Sequence, residues 1–401
     1  MGPEQDLPRG RLGQGIWIAL AALLVVYHLG LIFWGLVPNL VSRPLHMAVI
    51  LPWIFLFGAR SRWAMISGAV LTVLGVGAAL WIALNHDMLG DQYGFLESDF
   101  QIGVAIVLLL CVIEAARRAI GWPLPMVALA ALAYGLFGKY IPGEFGHAGT
   151  PLASFLGTLT IAEGGLWGSL TAVSVGVVAI FVIFGAVLNA GEAGQGFMNV
   201  AAAAAGRLTG GAAKVSVLSS ALFGSISGSA SANVASTGAV TLPAMTRLGY
   251  PKRLAAGVEA VASSGGQIMP PLMGAGAFVM VELTGTPYTQ IMAAALLPAI
   301  LYFWAVWIGI DAYATRFELR GIRDEDRPAR RDVIVTSMFF LVPFSVLMIA
   351  MFGIGYTPQY AACLAILAGA LLLFVDASLQ VNLGQAATRF ASALLSAARQ
   401  V

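Results

Sequence analysis

Phe223–Gly238 reads FGSISGSASANVASTG, and Ser263–Pro271 reads SSGGQIMPP. In water, runs so rich in Gly, Ser and Ala would make flexible linkers. Here both lie among apolar segments, in a 401-residue chain that is 59% hydrophobic and 10% charged. With a mean hydropathy of +0.87, such a chain is expected to cross a membrane many times. Bare N–H and C=O groups find no partner in lipid. Irregular backbone at membrane depth therefore survives only where protein buries it or where it lines a wet cavity. Two breaks at that depth point to a binding site and to an ion-coupled transporter.

Working outward, apolar segments of crossing length fall near 16–36, 45–58, 63–84, 101–116, 122–141, 170–190, 254–282, 290–310, 333–352 and 359–375. This predicts an all-α polytopic membrane protein of about ten transmembrane helices. The segment 45–58 is short and carries Pro52. The run at 16–36 is longer than a signal-peptide core and no A-x-A-like site follows it, so it reads as the first membrane helix. Glu114 ends the fourth span beside Arg117 and Arg118, where all three reach water.

Lys and Arg favour cytoplasmic loops. With the N-terminus inside, Arg9, Arg11, Arg60, Arg62, Arg117 and Arg118 fall inside. The loop 85–100 carries Asp87, Asp91, Glu97 and Asp99 with no base, as an outside loop does. As one helix, 215–245 would be about 46 Å long, well beyond the ~30 Å hydrocarbon core. Crossing once, it would place the arginine-rich loop 316–331 outside. Dipping in and returning, it leaves only Arg43 and Lys139 outside. The charges thus favour a re-entrant helical hairpin at 215–245, followed by a broken helix at 254–282.

Within the hairpin, Ser225, Ser227, Ser229 and Ser231 alternate with small residues and Asn233 follows. Hydroxyls and freed carbonyls are the oxygen ligands that a small hard cation such as Na⁺ needs. Close helix packing through small residues is the competing reading, but packing favours a spacing of three or four. At the second break, Pro270 and Pro271 cannot donate hydrogen bonds, so carbonyls one turn earlier are expected to be free. A simple proline kink would not need Ser-Ser-Gly-Gly ahead of it. Glu259 enters this break. An acid inside a membrane usually faces a cavity or a partner, and here pairing with Lys252 or Arg253 near the cytoplasmic surface is the preferred reading. Glu163, Glu192 and Glu282 read as boundary charges, and His28, His46, His86 and His147 as structural residues. Phe197–Leu208 reads as a short interfacial helix. Gly191, Gly194 and Gly196 imitate a dinucleotide fingerprint without the surrounding βαβ unit. Cys111 and Cys363 suggest neither a disulfide framework nor a zinc site. The charge pattern does not suggest nucleic acid.

FGSISGSASANVASTGAVTLPAM (223–245), followed by RLGYPKRLAAGVEAVASSGGQIMPP (247–271), resembles the large membrane subunit of tripartite ATP-independent periplasmic (TRAP) transporters. The shared marks are an FGxxSGSxxA hairpin, Pro-x-Met, a Gly-Tyr pair and a Gly-rich segment ending in Pro-Pro. Residues 1–120 match the small membrane subunit in span number, which suggests the fused form of the permease, often paired with TAXI-type binding proteins. The resemblance implies a four-helix scaffold over 1–120, a connecting helix and outside loop over 121–169, and a transport domain over 170–401. That domain would be the first half of an inverted-repeat ion-transporter-like fold.

The resemblance further implies a Na⁺-coupled importer of organic acids in the bacterial inner membrane. It would take substrate from a periplasmic substrate-binding protein and move it by an elevator motion. Carried over by motif, Ser225, Ser229, Ser231, Gly265, Gly266, Met269 and Pro270 would hold Na⁺, and Ser227, Ser229, Asn233 and Gln267 would border the substrate. After Asp376 the sequence offers Leu383–Arg399, an amphipathic helix-like run, and no second FGxxSGS stretch. The large subunit is therefore expected to be incomplete, an N-terminal fragment or natural truncation with one of two half-sites. Another Na⁺- or H⁺-coupled dicarboxylate-type transporter is the nearest alternative. A channel would show one continuous polar stripe, and an enzyme a nucleophile with its base or a metal motif.

Overall fold

A computed structural model describes residues 11–59, 61–162 and 164–401. Arg9 and Arg60, used above to orient the chain, and Glu163, read as a boundary charge, lie outside the described residues. Apart from an isolated bridge between Val375 and Val381, the described chain is helical. Among the described residues, six helices are long and apolar enough to cross a membrane: Leu12–Phe33, Arg62–Leu84, Asp99–Ile120, Ser169–Ala190, Tyr288–Arg316 and Asp324–Ile354; Pro358–Leu372 is apolar but shorter. The chain forms two compact units that meet in sequence at Gly176–Val177.

The first unit holds α1 (Arg11–Phe33), α2 (Asn39–Phe55), α3 (Arg62–Leu84), α4 (His86–Asp91), α5 (Asp99–Ile120), α6 (Pro123–Phe137), α7 (Leu152–Thr160) and α8 (Ser169–Val173). Ser61 and Ser98 cap α3 and α5 by accepting from the N–H groups of Ala64 and Gln101, which satisfies donors that a helix start leaves bare. Ala79, Ile82, Leu89, Leu108, Leu156 and Trp167 form its core. Trp63 and Val73 of α3 are instead 82% and 72% exposed, as side chains that face lipid would be. Glu114 binds Arg117 at 2.6 Å and Arg118 at 2.8 Å.

Two histidines far apart in sequence meet inside this unit. His28 Nδ1–H donates to Leu24 O at 2.7 Å, leaving Nε2 to accept from His46 Nδ1–H at 2.8 Å. His46 Nε2 then accepts from the Ser174 hydroxyl at 3.4 Å. Each neutral ring thus has one donor and one acceptor in use, and both are buried.

The second unit holds α9 (Ala179–Ala190), α10 (Ala193–Ala205), α11 (Gly211–Ser227), α12 (Ala230–Arg247), α13 (Lys252–Gly265), α14 (Ala275–Thr284), α15 (Tyr288–Arg316), α16 (Arg330–Met348), α17 (Pro358–Leu372) and α18 (Leu383–Gln400). Helices α11, α12 and α13 pack on one another, α13 also on α15, and α9 on α17 and α18. Helix α10 packs between α11 and α16 and buries Ala193, Phe197, Asn199, Ala201 and Ala205. It is therefore a packed element of the unit, against the expectation of a surface connector. Gly196, inside α10, lies against the backbone of Thr336, so it serves packing, whereas a Cβ on Gly194 would meet nothing within 4 Å. Glu192, expected to be a boundary charge, pairs with the buried Arg389 of α18.

The hairpin forms because the chain between α11 and α12 is only Gly228 and Ser229. Gly228 takes the left-handed conformation (φ 60°) that closes α11, and Ser229 caps α12 by accepting from Ala232 N–H. At its far ends, Gly210 (φ 68°) is pressed against Ala314 and Ile310, and its N–H donates to Leu319 O. Gly249 (φ 86°) has no heavy atom within 4 Å of where a Cβ would be.

Candidate functional site

Helix α13 stops at Gly265, a single tight turn covers Gly266–Ile268, and α14 starts seven residues later. The last turns of α11 and α13 touch backbone to backbone. A Cβ built on Gly224 would stand 2.2 Å from Gly266 Cα, and one on Gly266 would stand 2.7 Å from Gly224 Cα and from Asn233 Nδ2. Two glycines are the only pair that lets these helices approach so closely. Helix carboxyl ends carry partial negative charge, so their meeting favours a cation. Asn233 Nδ2 donates to Ser220 O at 2.8 Å and to Ser263 O at 3.5 Å, tying the hairpin tip to the break. Leu272 N–H donates to Ser225 O at 3.2 Å as a second tie.

The four alternating serines do not act as one set. Ser225 Oγ donates to Leu222 O, Ser229 is the cap, and Ser231 Oγ lies 3.3 Å from Ser229 Oγ on an exposed surface. Ser227 Oγ is buried and has no hydrogen-bond partner. The spacing of two falls across a helix end, a turn and a helix start, so it carries no shared face. The carbonyls expected to be free before the prolines are also occupied. Gly266 O accepts from Met269 N–H at 3.3 Å and Gln267 O from Gly274 N–H at 2.7 Å. The chain there folds back on itself and supplies donors that the prolines lack. Of the other residues singled out, Gly265 is buried against Tyr302 and Phe303, Met269 and Pro270 are half-buried, and Gln267 is exposed.

Gln267 and Gln290 line a cavity of about 760 Å³ with Met273, Gly274, Gly276 and Ala277. The first turn of α14 thus forms part of its wall, and a helix amino end favours anions. A second cavity, of about 1040 Å³, is lined by Asn199, Thr241, Arg247, Arg323, Arg327 and Thr336, among others.

Glu259 is where the sequence reading fails most clearly. It makes no ion pair with Lys252 or Arg253, both of which are exposed, and it is only 1% exposed itself. Its Oε1 accepts from Thr237 at 2.5 Å and Ser263 at 3.1 Å, and its Oε2 from Ser216 at 2.8 Å and from Thr241. The reason is helical periodicity. Asn233, Thr237 and Thr241 recur every four residues on α12, Ser216 and Ser220 do so on α11, and Glu259 and Ser263 on α13. Three polar stripes inside a small-residue helix cluster turn toward one another. That four-residue recurrence was visible in the sequence and is the signal the serine alternation obscured.

A hairpin and a broken helix, packed through glycines inside an all-helical unit, are the kind of arrangement from which secondary transporters build their sites. The chain belongs to the tripartite ATP-independent periplasmic transporter, DctM component, family, which it matches over residues 107–400. It is 27% identical over 212 residues to the C4-dicarboxylate TRAP transporter large permease protein DctM of Pseudomonas aeruginosa, covering 51% of this chain and 48% of that protein. It is 26% identical over 309 residues to the isethionate TRAP transporter permease protein DctMQ of Oleidesulfovibrio alaskensis, covering 73% of this chain and 46% of that one. The ectoine TRAP transporter large permease protein TeaC of Halomonas elongata is 26% identical over 203 residues, 49% of this chain and 46% of its own. The length of the DctMQ alignment fits a fused small and large permease. The chain spans about half the length of these relatives.

Proposed function

We propose that this chain is permease sequence of a secondary transporter that imports small organic acids across the bacterial inner membrane. A periplasmic substrate-binding protein delivers the acid, inward movement of Na⁺ drives it, and the second unit moves as an elevator. The N-terminus is cytoplasmic and the hairpin re-entrant, as the distribution of Lys and Arg favours. The observation that carries the reading is the glycine-mediated meeting of two helix carboxyl ends beside the unpartnered Ser227 hydroxyl. Neutral oxygens and helix carboxyl ends suit a hard monovalent cation. The residues fit Na⁺ in that sense: Ser227 Oγ and main-chain carbonyls around Gly228 and Gly265–Met269 are the groups that would hold it, each carbonyl that accepts one hydrogen bond keeping a second lone pair. The anion-favouring first turn of α14 on the 760 Å³ cavity supports an acidic substrate beside Gln267. Relatives named for C4-dicarboxylate and isethionate transport support the same class of cargo.

Because none of these Na⁺ ligands is an acid, the ion keeps its charge. Each net positive charge moved inward gains about 2.3 kcal/mol per 100 mV of membrane potential. The test is uptake by the complete permease with its binding protein in proteoliposomes. Uptake is expected to require an inward Na⁺ gradient, to quicken with an inside-negative potential, and to fall in Ser227→Val. Uptake indifferent to Na⁺ would refute this coupling.

A further inference from the structure

The Glu259 cluster has the chemistry of a second, different site. A buried carboxylate costs several kcal/mol unless it is paired or fully hydrogen-bonded, and Glu259 has four hydroxyl partners and, among the described residues, no base. Lys214, on α11, is taken by Asp311 of α15 and lies over Trp307. Arg247 on α12 is exposed, as are Lys252 and Arg253 on α13 and Arg316 on α15. Tyr302 of α15 donates to Val261 O instead. Thus no charged group on α11, α12, α13 or α15 neutralises Glu259 directly.

The hydroxyls stand at hydrogen-bond distance from the carboxylate, which leaves no gap between them for a metal ion. They are well placed for a proton. Thr237 Oγ1 lies 2.8 Å from Asn233 O as well as 2.5 Å from Glu259 Oε1, and Thr241 Oγ1 lies 3.0 Å from Thr237 O as well as beside Oε2. Each threonine has one hydrogen and at least two acceptors in reach. With Glu259 ionised, both hydroxyls turn to the carboxylate. With Glu259 protonated, its own hydrogen goes to one threonine, which turns back to the main-chain carbonyl one turn earlier. Both states are satisfied by rotating a hydroxyl, with no heavy atom displaced.

The site also has an entrance. Thr241 lines the 1040 Å³ cavity, whose charged wall includes Arg247, Arg323 and Arg327 with Glu192, Asp326 and Asp332. On the other side, Thr237 Oγ1 is 3.3 Å from Asn233 Oδ1, the residue that ties the hairpin tip to the break. We propose that Glu259 is a proton-binding site of the transport unit, filled and emptied from this cavity through the Thr241 hydroxyl. Its protonation state reaches the hairpin tip through Thr237 and Asn233. The step balances: a hydronium ion in the cavity gives a proton to Thr241 Oγ1 and is left as water, Thr241 gives its own hydrogen to Glu259 Oε2, and nothing is oxidised. The inference rests on the transport reading but not on Na⁺ as the driving ion.

The experiment is infrared difference spectroscopy of the full chain in lipid nanodiscs, titrated with acid, with and without Na⁺. A protonated-carboxyl C=O band is expected to grow on acidification and to be lost in Glu259→Gln. In Thr241→Val, which keeps the acid and its other three hydroxyls, hydrogen–deuterium exchange of that band should slow severalfold. Identical spectra for wild type and Glu259→Gln at every pH would overturn the site. Exchange unchanged in Thr241→Val would overturn the route. A band that answers to pH alone, together with uptake indifferent to Na⁺, would support the proton site while refuting the Na⁺ reading.

Discussion

Replacing Gly224 by alanine tests the packing on which the site depends. The added methyl would stand 2.2 Å from Gly266 Cα and 3.0 Å from Gly266 C, where carbon atoms normally rest about 3.5–4.0 Å apart. The obstacle is backbone, so no side chain can swing away. Overpacking of this kind costs about 1–3 kcal/mol, and a clash with main chain belongs at the upper end. Alanine in place of glycine inside a helix returns about 1 kcal/mol. The net is a loss of about 2 kcal/mol, up to about 30-fold in the folded population and about 4–8 °C in melting temperature. Gly257, on the exposed side of α13, is the matched control, because a Cβ there meets nothing within 4 Å. Gly257→Ala is expected to melt at or slightly above the wild-type temperature. Thermal unfolding of both variants in nanodiscs, followed by intrinsic tryptophan fluorescence, decides the matter. If Gly224→Ala is as stable as Gly257→Ala, the two helix ends do not meet as described.

Arg389→Leu strands Glu192 without its partner and removes the donor to Val375 O. A loss of about 3 kcal/mol is expected, the lower end for a broken buried pair because Glu192 keeps some contact with solvent. The double variant with Glu192→Leu should melt above Arg389→Leu alone; a double variant no better than the single would show that the pair is not coupled. For topology, Leu208→Cys and Thr246→Cys mark the two exposed ends of the hairpin. With Cys111 and Cys363 replaced, both should react with an impermeant maleimide only from the cytoplasmic side, and reaction from opposite sides would refute a re-entrant hairpin.

The spans were legible because lipid enforces a simple code: a stretch of apolar residues long enough to cross becomes a helix. Gly228 and Gly265–Gly266 were legible as breaks because Gly and Pro punctuate helices in any solvent. The tip serines were misread because an alternation of two has meaning only on an extended chain, and here the chain is helical on both sides of the turn. Glu259 was misread because three of its four partners come from other helices, up to 43 residues away. Sequence distance hides such contacts unless the four-residue stripes on each helix are compared. His28 and His46, 18 residues apart, escaped for the same reason.

The hairpin is stiff at its tip. Its arms are linked by two residues and tied across by Asn233 to Ser220 and by Ser220 to Thr237. Such a hairpin would tilt as one piece near its tip. Were it to tilt, Gly210, wedged against Ala314 and bonded to Leu319, would be the pivot; at the end of the other arm a Cβ on Gly249 would meet nothing within 4 Å. The first arm, Gly211–Ser227, is about 25 Å long at helical rise. A tilt of about 10° at that pivot would swing the tip by roughly 4 Å, more than the reach of the hydrogen bond from Asn233 to Ser263. A modest angular change at one end is thus enough to disengage the tip from the break.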